Sequence, residues 1–304
     1  MHFGVIYMHN IFAIPNSSKG DTKTMKKVFA LILAAAMLAL CLASCGGGKQ
    51  TVKVIDINLT EEEYAYGVDK AQPELLEKVN AFIDKIMKDG TFNKVCNNYF
   101  GDGTPNPVTS AELDPSKDQL VVATNAGFEP FEYMDGDKYV GIDMEIAKLL
   151  ADELGMELVI NNMDFDAVCL SVGQHKCDIA MAGLTVKPDR EEYVTFSKSY
   201  YSASQKIIVK ADDTTFDACK TKEDVEAILA QKDATTIIGV QNGTTGQFYV
   251  EGDADWGFTG FPVTCNGYKN GSLAVQDVIN GNISFVIIDS APADAITAAF
   301  NKLA

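Results

Sequence analysis

Residues 120–161 read LVVATNAGFEPFEYMDGDKYVGIDMEIAKLLADELGMELVIN. The stretch opens on a strand-like apolar segment, Leu120–Thr124, and closes on another, Leu158–Asn161. Between them, Ile142–Leu154 sets apolar residues at 142, 146, 149, 150 and 154, one face of a helix, and Gly155 is a stop. Strand, helix, strand is the unit of an α/β fold, and it predicts largely parallel sheets with helices on both faces. The same alternation extends outward. Further strand-like segments are Val52–Ile57, Asp178–Ala182, Ile207–Lys210, Thr236–Val240 and Ser284–Ile288. Pro73–Asp89 begins on proline, ends at Gly90, and predicts a helix burying Leu76, Val79, Phe82, Ile83 and Ile86. Ser272 reads as the N-cap of a helix over Leu273–Asn280, closed by Gly281. In sheets of this kind ligands bind at the carboxyl ends of the strands.

The 304 residues suit two α/β lobes, and 47% hydrophobic with 22% charged residues marks a globular chain. The formal net charge is −17, which argues against a nucleic-acid partner because phosphate binding needs a basic footprint. Arg190 is the only arginine among 25 basic residues. It is either a surface residue kept by chance or a chosen one, since a guanidinium pairs with a carboxylate through two parallel hydrogen bonds and lysine cannot. No C-x-x-C occurs and no histidine clusters with cysteine at metal spacing, so neither a metal site nor a cofactor site is expected.

Lys26-Lys27 precede an apolar run, Val28–Ala43, ending in Leu42-Ala43-Ser44-Cys45 and three glycines. A basic start, a short apolar core and small residues at its end make an export signal; the run falls at or below the ~17 residues a membrane-spanning helix needs. The L-A-S-C string resembles a bacterial lipobox, which implies lipidation of Cys45 and anchoring to the cell membrane. Residues 1–24 resemble neither leader nor domain, so translation is expected to begin at Met25, with a signal peptide over 25–44 and a tether over 45–50.

Four stretches then line up: Ala123–Phe131; Gly141-Ile142-Asp143-Met144-Glu145-Ile146; Met181-Ala182-Gly183-Leu184-Thr185 followed by Arg190; and Gly239–Gly246, GVQNGTTG. In this order they resemble the polar amino-acid-binding proteins of ABC importers, solute-binding protein family 3. The resemblance implies a two-lobed periplasmic-binding-protein-like fold (type II) with two hinge crossings. It implies a free amino acid as ligand, an ABC permease as partner, an extracytoplasmic location and no enzymatic activity. A zwitterion must lose water from both charges, so each charge needs compensation. For the carboxylate the resemblance assigns Arg190, with backbone N–H groups near Thr185 and in the turn carrying Thr244 and Thr245; that turn is otherwise a plain strand–helix connection. For the ammonium it assigns Asp289, the Gly183 carbonyl and the Thr185 hydroxyl. Asp289 also stands where a helix N-cap would. Phe128 and Phe165 match the family's aromatic walls, or are core residues. Asn125 and Gln241 stand where relatives often carry an acid and a lysine, so a neutral side chain on the ligand is expected.

The order of segments departs from the family. Tyr64–Val68, the helix Pro73–Asp89 and Asn98-Tyr99-Phe100-Gly101 resemble the family's ending, yet here they precede Leu120. A circular permutation is therefore expected. Residues 64–205 would form lobe 1, with a linker over 101–118 joining the old ends, and 51–63 plus 206–304 would form lobe 2. Two alternatives stay open: a dehydratase on the same fold, which needs a general acid in the cleft, and a sensor domain.

Overall fold

A computed structural model describes residues 50–304. The upstream extension, the signal peptide and Cys45 lie outside the described residues. The chain first runs β1 (Val52–Ile55), β2 (Glu62–Tyr64), β3 (Gly67–Asp69), α1 (Pro73–Asp89) and α2 (Thr91–Phe100). Next come β4 (Gln119–Thr124), the hairpin strands β5 (Gly127–Phe128), β6 (Glu132–Asp135) and β7 (Lys138–Val140), then α3 (Ile142–Leu154), β8 (Glu157–Asn162), α4 (Phe165–Gly173) and β9 (Ile179–Ala180). A 3-10 turn at Arg190–Glu192 leads into β10 (Val194–Phe196), β11 (Tyr201–Ala203) and β12 (Gln205–Lys210). The last segment holds α5 (Lys222–Leu229), β13 (Ile237–Gln241), α6 (Thr245–Glu251), β14 (Thr264–Tyr268), α7 (Gly271–Asn280), β15 (Phe285–Asp289) and α8 (Ser290–Leu303).

Two five-stranded sheets carry the fold, ordered β10-β3-β9-β4-β8 and β1-β12-β15-β13-β14. They are mixed, which corrects the expectation of largely parallel sheets. In the first, β4 lies parallel to β8 and β9, while β3 runs antiparallel to both its neighbours, β9 and β10. In the second, β13 is parallel to β14 and β15, while β12 runs antiparallel to both its neighbours, β15 and β1. The two reversed strands, β3 and β12, are those that the two stretches crossing between the sheets lead into, so they enter from the opposite direction. Those stretches run from β1 to β3 and from β10 to β12, and they pair midway as the ribbon β2–β11.

The local patterns explain the helices with three adjustments. In α1 the buried stripe is Leu75, Val79, Phe82, Ile83 and Ile86; Leu76, expected in it, sits at the edge and is only partly buried. In α3 the stripe passes through Ile142, Ile146, Ala147, Leu150 and Ala151, leaving Leu149 exposed. The cap of α7 is Asn270, whose side chain accepts from the Leu273 N–H, so the helix starts before Ser272.

Residues 101–118 do not bridge open space. Glu145 of α3 gathers them, accepting from Asn98 Nδ2, the Tyr99 hydroxyl and both the backbone N–H and Nδ2 of Asn106. Val108 pairs with Tyr139, and the Ser110 hydroxyl accepts from the Ile160 N–H. At the other joint, Asn301 of α8 accepts from the backbone N–H groups of Thr51 and Val52 and donates to the Val52 carbonyl.

Candidate ligand-binding site

The sequence places Arg190, Thr185 and Gly183 on the segment after β9, Asp289 at the end of β15, and Thr244 and Thr245 where β13 turns into α6. The fold brings these together between the sheets, where Arg190 and Asp289 retain 8% and 4% of their exposure. Arg190 Nη1 donates to the Thr185 carbonyl at 2.7 Å, and Nη2 donates across to the Gly243 carbonyl at 3.0 Å. A guanidinium carries five N–H groups in a planar fork, so three remain for a ligand. The Phe165 ring centre lies 5.2 Å from the Arg190 guanidinium carbon. Phe128 is buried, and its ring packs on Gly183, where an added Cβ would come within 2.8 Å of it. Gly183 also has φ of 52°, which favours glycine. Its N–H donates to Asp143 Oδ2.

Asp289 stands at the N-cap of α8 but makes no capping bond. It accepts instead from the Tyr64 hydroxyl at 2.5 Å. Beside it lies Glu62, buried on β2 and missed in the sequence reading. Glu62 accepts from the Thr60 hydroxyl, Gln205 Nε2 and the Thr185 hydroxyl. Burial first, and the Glu62 charge second, push Asp289 up to about 7. Asp143 is pushed up to about 7 by burial, although bonds from Gly183 and Tyr200 oppose this. Glu132, fully buried with neither oxygen partnered, is raised well above the carboxylate range by burial.

The other predicted residues also meet. Gln241 Nε2 donates to Asn125 Oδ1, Asn125 Nδ2 donates to the Met163 carbonyl, and Gln241 Oε1 is left buried without a partner. A cavity of about 310 Å³ opens beside Asn125, lined also by Asn162, Asp164 and Lys269. The Thr244 hydroxyl donates to the Gln241 carbonyl and does not cap α6. A larger cavity, about 760 Å³, lies elsewhere, between α2, β11 and α8. Lys187, also missed, is 3% exposed and bonds Asp189 and Asp253, with Phe248 beneath it. Among the described residues no metal-binding cluster occurs. Neither missed residue had a local signal: Glu62 lies in a run of three glutamates and Lys187 in a loop.

Two α/β lobes joined by two crossings, with Arg190 and Asp289 buried, define a two-lobed fold of the binding-protein kind. Residues 120–297 match the bacterial extracellular solute-binding proteins, family 3, and the chain belongs to that family. The arginine-binding extracellular protein ArtP of Bacillus subtilis (strain 168) is 37% identical over 99 residues, 33% of this chain and 39% of that protein. ABC transporter arginine-binding protein 1 of Escherichia coli (strain K12) is 30% identical over 176 residues, 57% of this chain and 64% of that protein. The chain thus spans less than two thirds of the length of these relatives. Among solved structures, holo ArgBP from T. maritima aligns with TM-score 0.50 and 33% identity, covering 60% of this chain and 74% of that one. An ancestral amino acid-binding protein, a precursor of cyclohexadienyl dehydratase, aligns with TM-score 0.50 and 29% identity, covering 61% and 74%.

Proposed function

We propose that this protein captures a free amino acid between its lobes and delivers it to the permease of an ABC importer. The observation that carries the reading is the charge arrangement of the cleft: a buried guanidinium at one end, and Asp289 with its hydroxyl neighbours at the other. Arg190 grips the ligand carboxylate. Asp289, the Gly183 carbonyl and the Thr185 hydroxyl hold the ammonium, and Phe128 and Phe165 flank the side chain. Contacts from both lobes favour the closed state. The relatives named above are arginine-binding, but Asn125 and Gln241 form a neutral amide pair at the side-chain end. The unpartnered Gln241 oxygen suits a neutral hydrogen-bond donor, such as a carboxamide. A thermal-shift screen against the twenty common amino acids tests this, because a ligand that binds only the folded state raises Tm. Stabilisation by a neutral polar amino acid is expected; a response confined to arginine, lysine or glutamate would overturn the side-chain reading.

The protein works outside the cytoplasm, tethered through lipidated Cys45. Mass spectrometry of the mature N-terminus checks this. A dehydratase remains the second reading, because buried Asp289 is pushed up to about 7, where an acid can give up a proton. Loss of carbon dioxide and water from arogenate or prephenate would favour it.

The chain is circularly permuted relative to its family. The family match starts at residue 120, yet β1 pairs with β12 and β3 lies in the first sheet between β10 and β9. The proximity of Thr51 to Asn301 supports closely spaced new ends. A rearranged gene encoding 120–304, a short linker and then 51–100 is expected to yield a folded protein with the same ligand profile; a chain that never folds would overturn the permutation.

A further inference from the structure

We propose that Glu62 is a second acid of the amino clamp: it fixes the Thr185 hydroxyl as an acceptor and, with Asp289, fits the cleft to a primary ammonium head. This rests on the reading of the cleft as an amino-acid site.

Glu62 is 4% exposed, yet among the described residues no lysine, arginine or histidine pairs with it. A buried carboxylate without a cation is costly unless well bonded. Three donors meet it: the Thr60 hydroxyl and Gln205 Nε2 on Oε1, and the Thr185 hydroxyl on Oε2 at 2.7 Å. A hydroxyl has one proton. Once the Thr185 proton goes to Glu62, its oxygen offers only lone pairs, which an ammonium can use. The same logic holds for Tyr64, whose proton goes to Asp289. Every group at this end is thereby set to accept, while the Thr185 carbonyl is occupied by Arg190. Acceptors arranged this way match an R–NH3+ group and exclude quaternary ammonium, which has no N–H.

Position adds a second argument. Glu62 lies on the crossing ribbon, paired with Ala203 of β11, and its side chain reaches Thr185 on one lobe's segment and Gln205 at the start of the other's strand β12. It therefore feels closure directly. The other ionisable groups acting on this pair are Tyr64 of β2, Tyr201 of β11 and Glu132 of β6, none of them cationic. Burial, and then the Glu62 charge, favour the protonated form of Asp289. Capture of an ammonium displaces that proton.

The test is calorimetry on the purified protein with L-glutamine and, in turn, each other common amino acid, in phosphate and in Tris so that proton release can be counted. Near pH 6 the wild type is expected to release close to one proton per ligand, and none near pH 8.5, since Asp289 is pushed up to about 7. Affinity is expected to fall toward about tenfold per pH unit below that point. Glu62→Gln would direct an N–H at the Thr185 oxygen. At least tenfold weaker binding near pH 8.5 is expected, with proton release near pH 6 reduced. Binding without proton release in the wild type, or an unchanged affinity and pH profile in E62Q, overturns the proposal while the receptor reading stands. Should E62Q fail to fold, the wild-type proton count decides. No binding by any amino acid overturns both.

Discussion

At one end of the cleft a single side chain, Arg190, carries the positive charge, and two of its N–H groups are already spent on the Thr185 and Gly243 carbonyls. At the other end two buried acids, Asp289 and Glu62, accept from Tyr64, Thr185 and Gln205, drawn from several separate segments. The difference follows from chemistry. A guanidinium stays charged when buried and brings its own fork of donors, so one residue is enough. A buried carboxylate tends to take up a proton, so it needs donors around it to remain an acceptor. The cationic end therefore depends on one residue, and the acidic end on a network.

The comparison can be broken first at Arg190. Arg190→Lys keeps the charge and loses the fork, and it also removes the bond to the opposite lobe at Gly243. Binding is expected to weaken by about 100-fold in calorimetry; unchanged affinity would mean that charge alone suffices. The network is probed next through Asp143, which supports Gly183 from behind. Its carboxyl is raised in the fold, so the stability it contributes is complete below its unfolded value of 3.8 and is lost as pH rises through about 7. Thermal unfolding should therefore occur at lower temperature near pH 8 than near pH 5. Asp143→Asn should narrow that gap, by on the order of 5 °C; an identical gap in the variant would remove Asp143 as its source. Smaller still is the effect at the side-chain end. Asn125→Asp places a negative charge where the amide pair now lies, and preference should swing toward cationic side chains by about tenfold, read from a competition series. Smallest is Lys187→Met, which removes a buried ion pair with Asp253. A few-fold loss of affinity is expected, together with a larger radius in small-angle scattering without ligand, because the closed state loses a contact. An unchanged radius would mean that Lys187 does not help hold the lobes together.

Much of the arrangement is legible locally. Gly183, Thr185 and Arg190 sit in one short motif, and the fold keeps them in contact. Phe128 packs on Gly183, and the Phe165 ring lies near the Arg190 guanidinium. Asp289 had two readings, clamp or helix cap, and it makes no capping bond while accepting from Tyr64. Glu62 was illegible. Three consecutive glutamates read as a solvated face, and only pairing of β2 with β11 turns Glu62 and Tyr64 inward and Glu63 outward. The antiparallel strands were hidden for a similar reason: an apolar run records burial, not the direction from which the chain arrives.

The sequence by itself determined most of the longer strands of the two sheets and the helices α1, α3 and α7, because residue periodicity acts over a few neighbours. It also set out the motif around Arg190, whose members lie within eight positions of one another. Only the tertiary structure decided which buried acids lie side by side. Tyr64 and Asp289 are separated by 225 residues, and Glu62 and Thr185 by 123. A carboxylate becomes part of a site when distant segments remove its water and supply donors in its place, and no local pattern encodes that exchange.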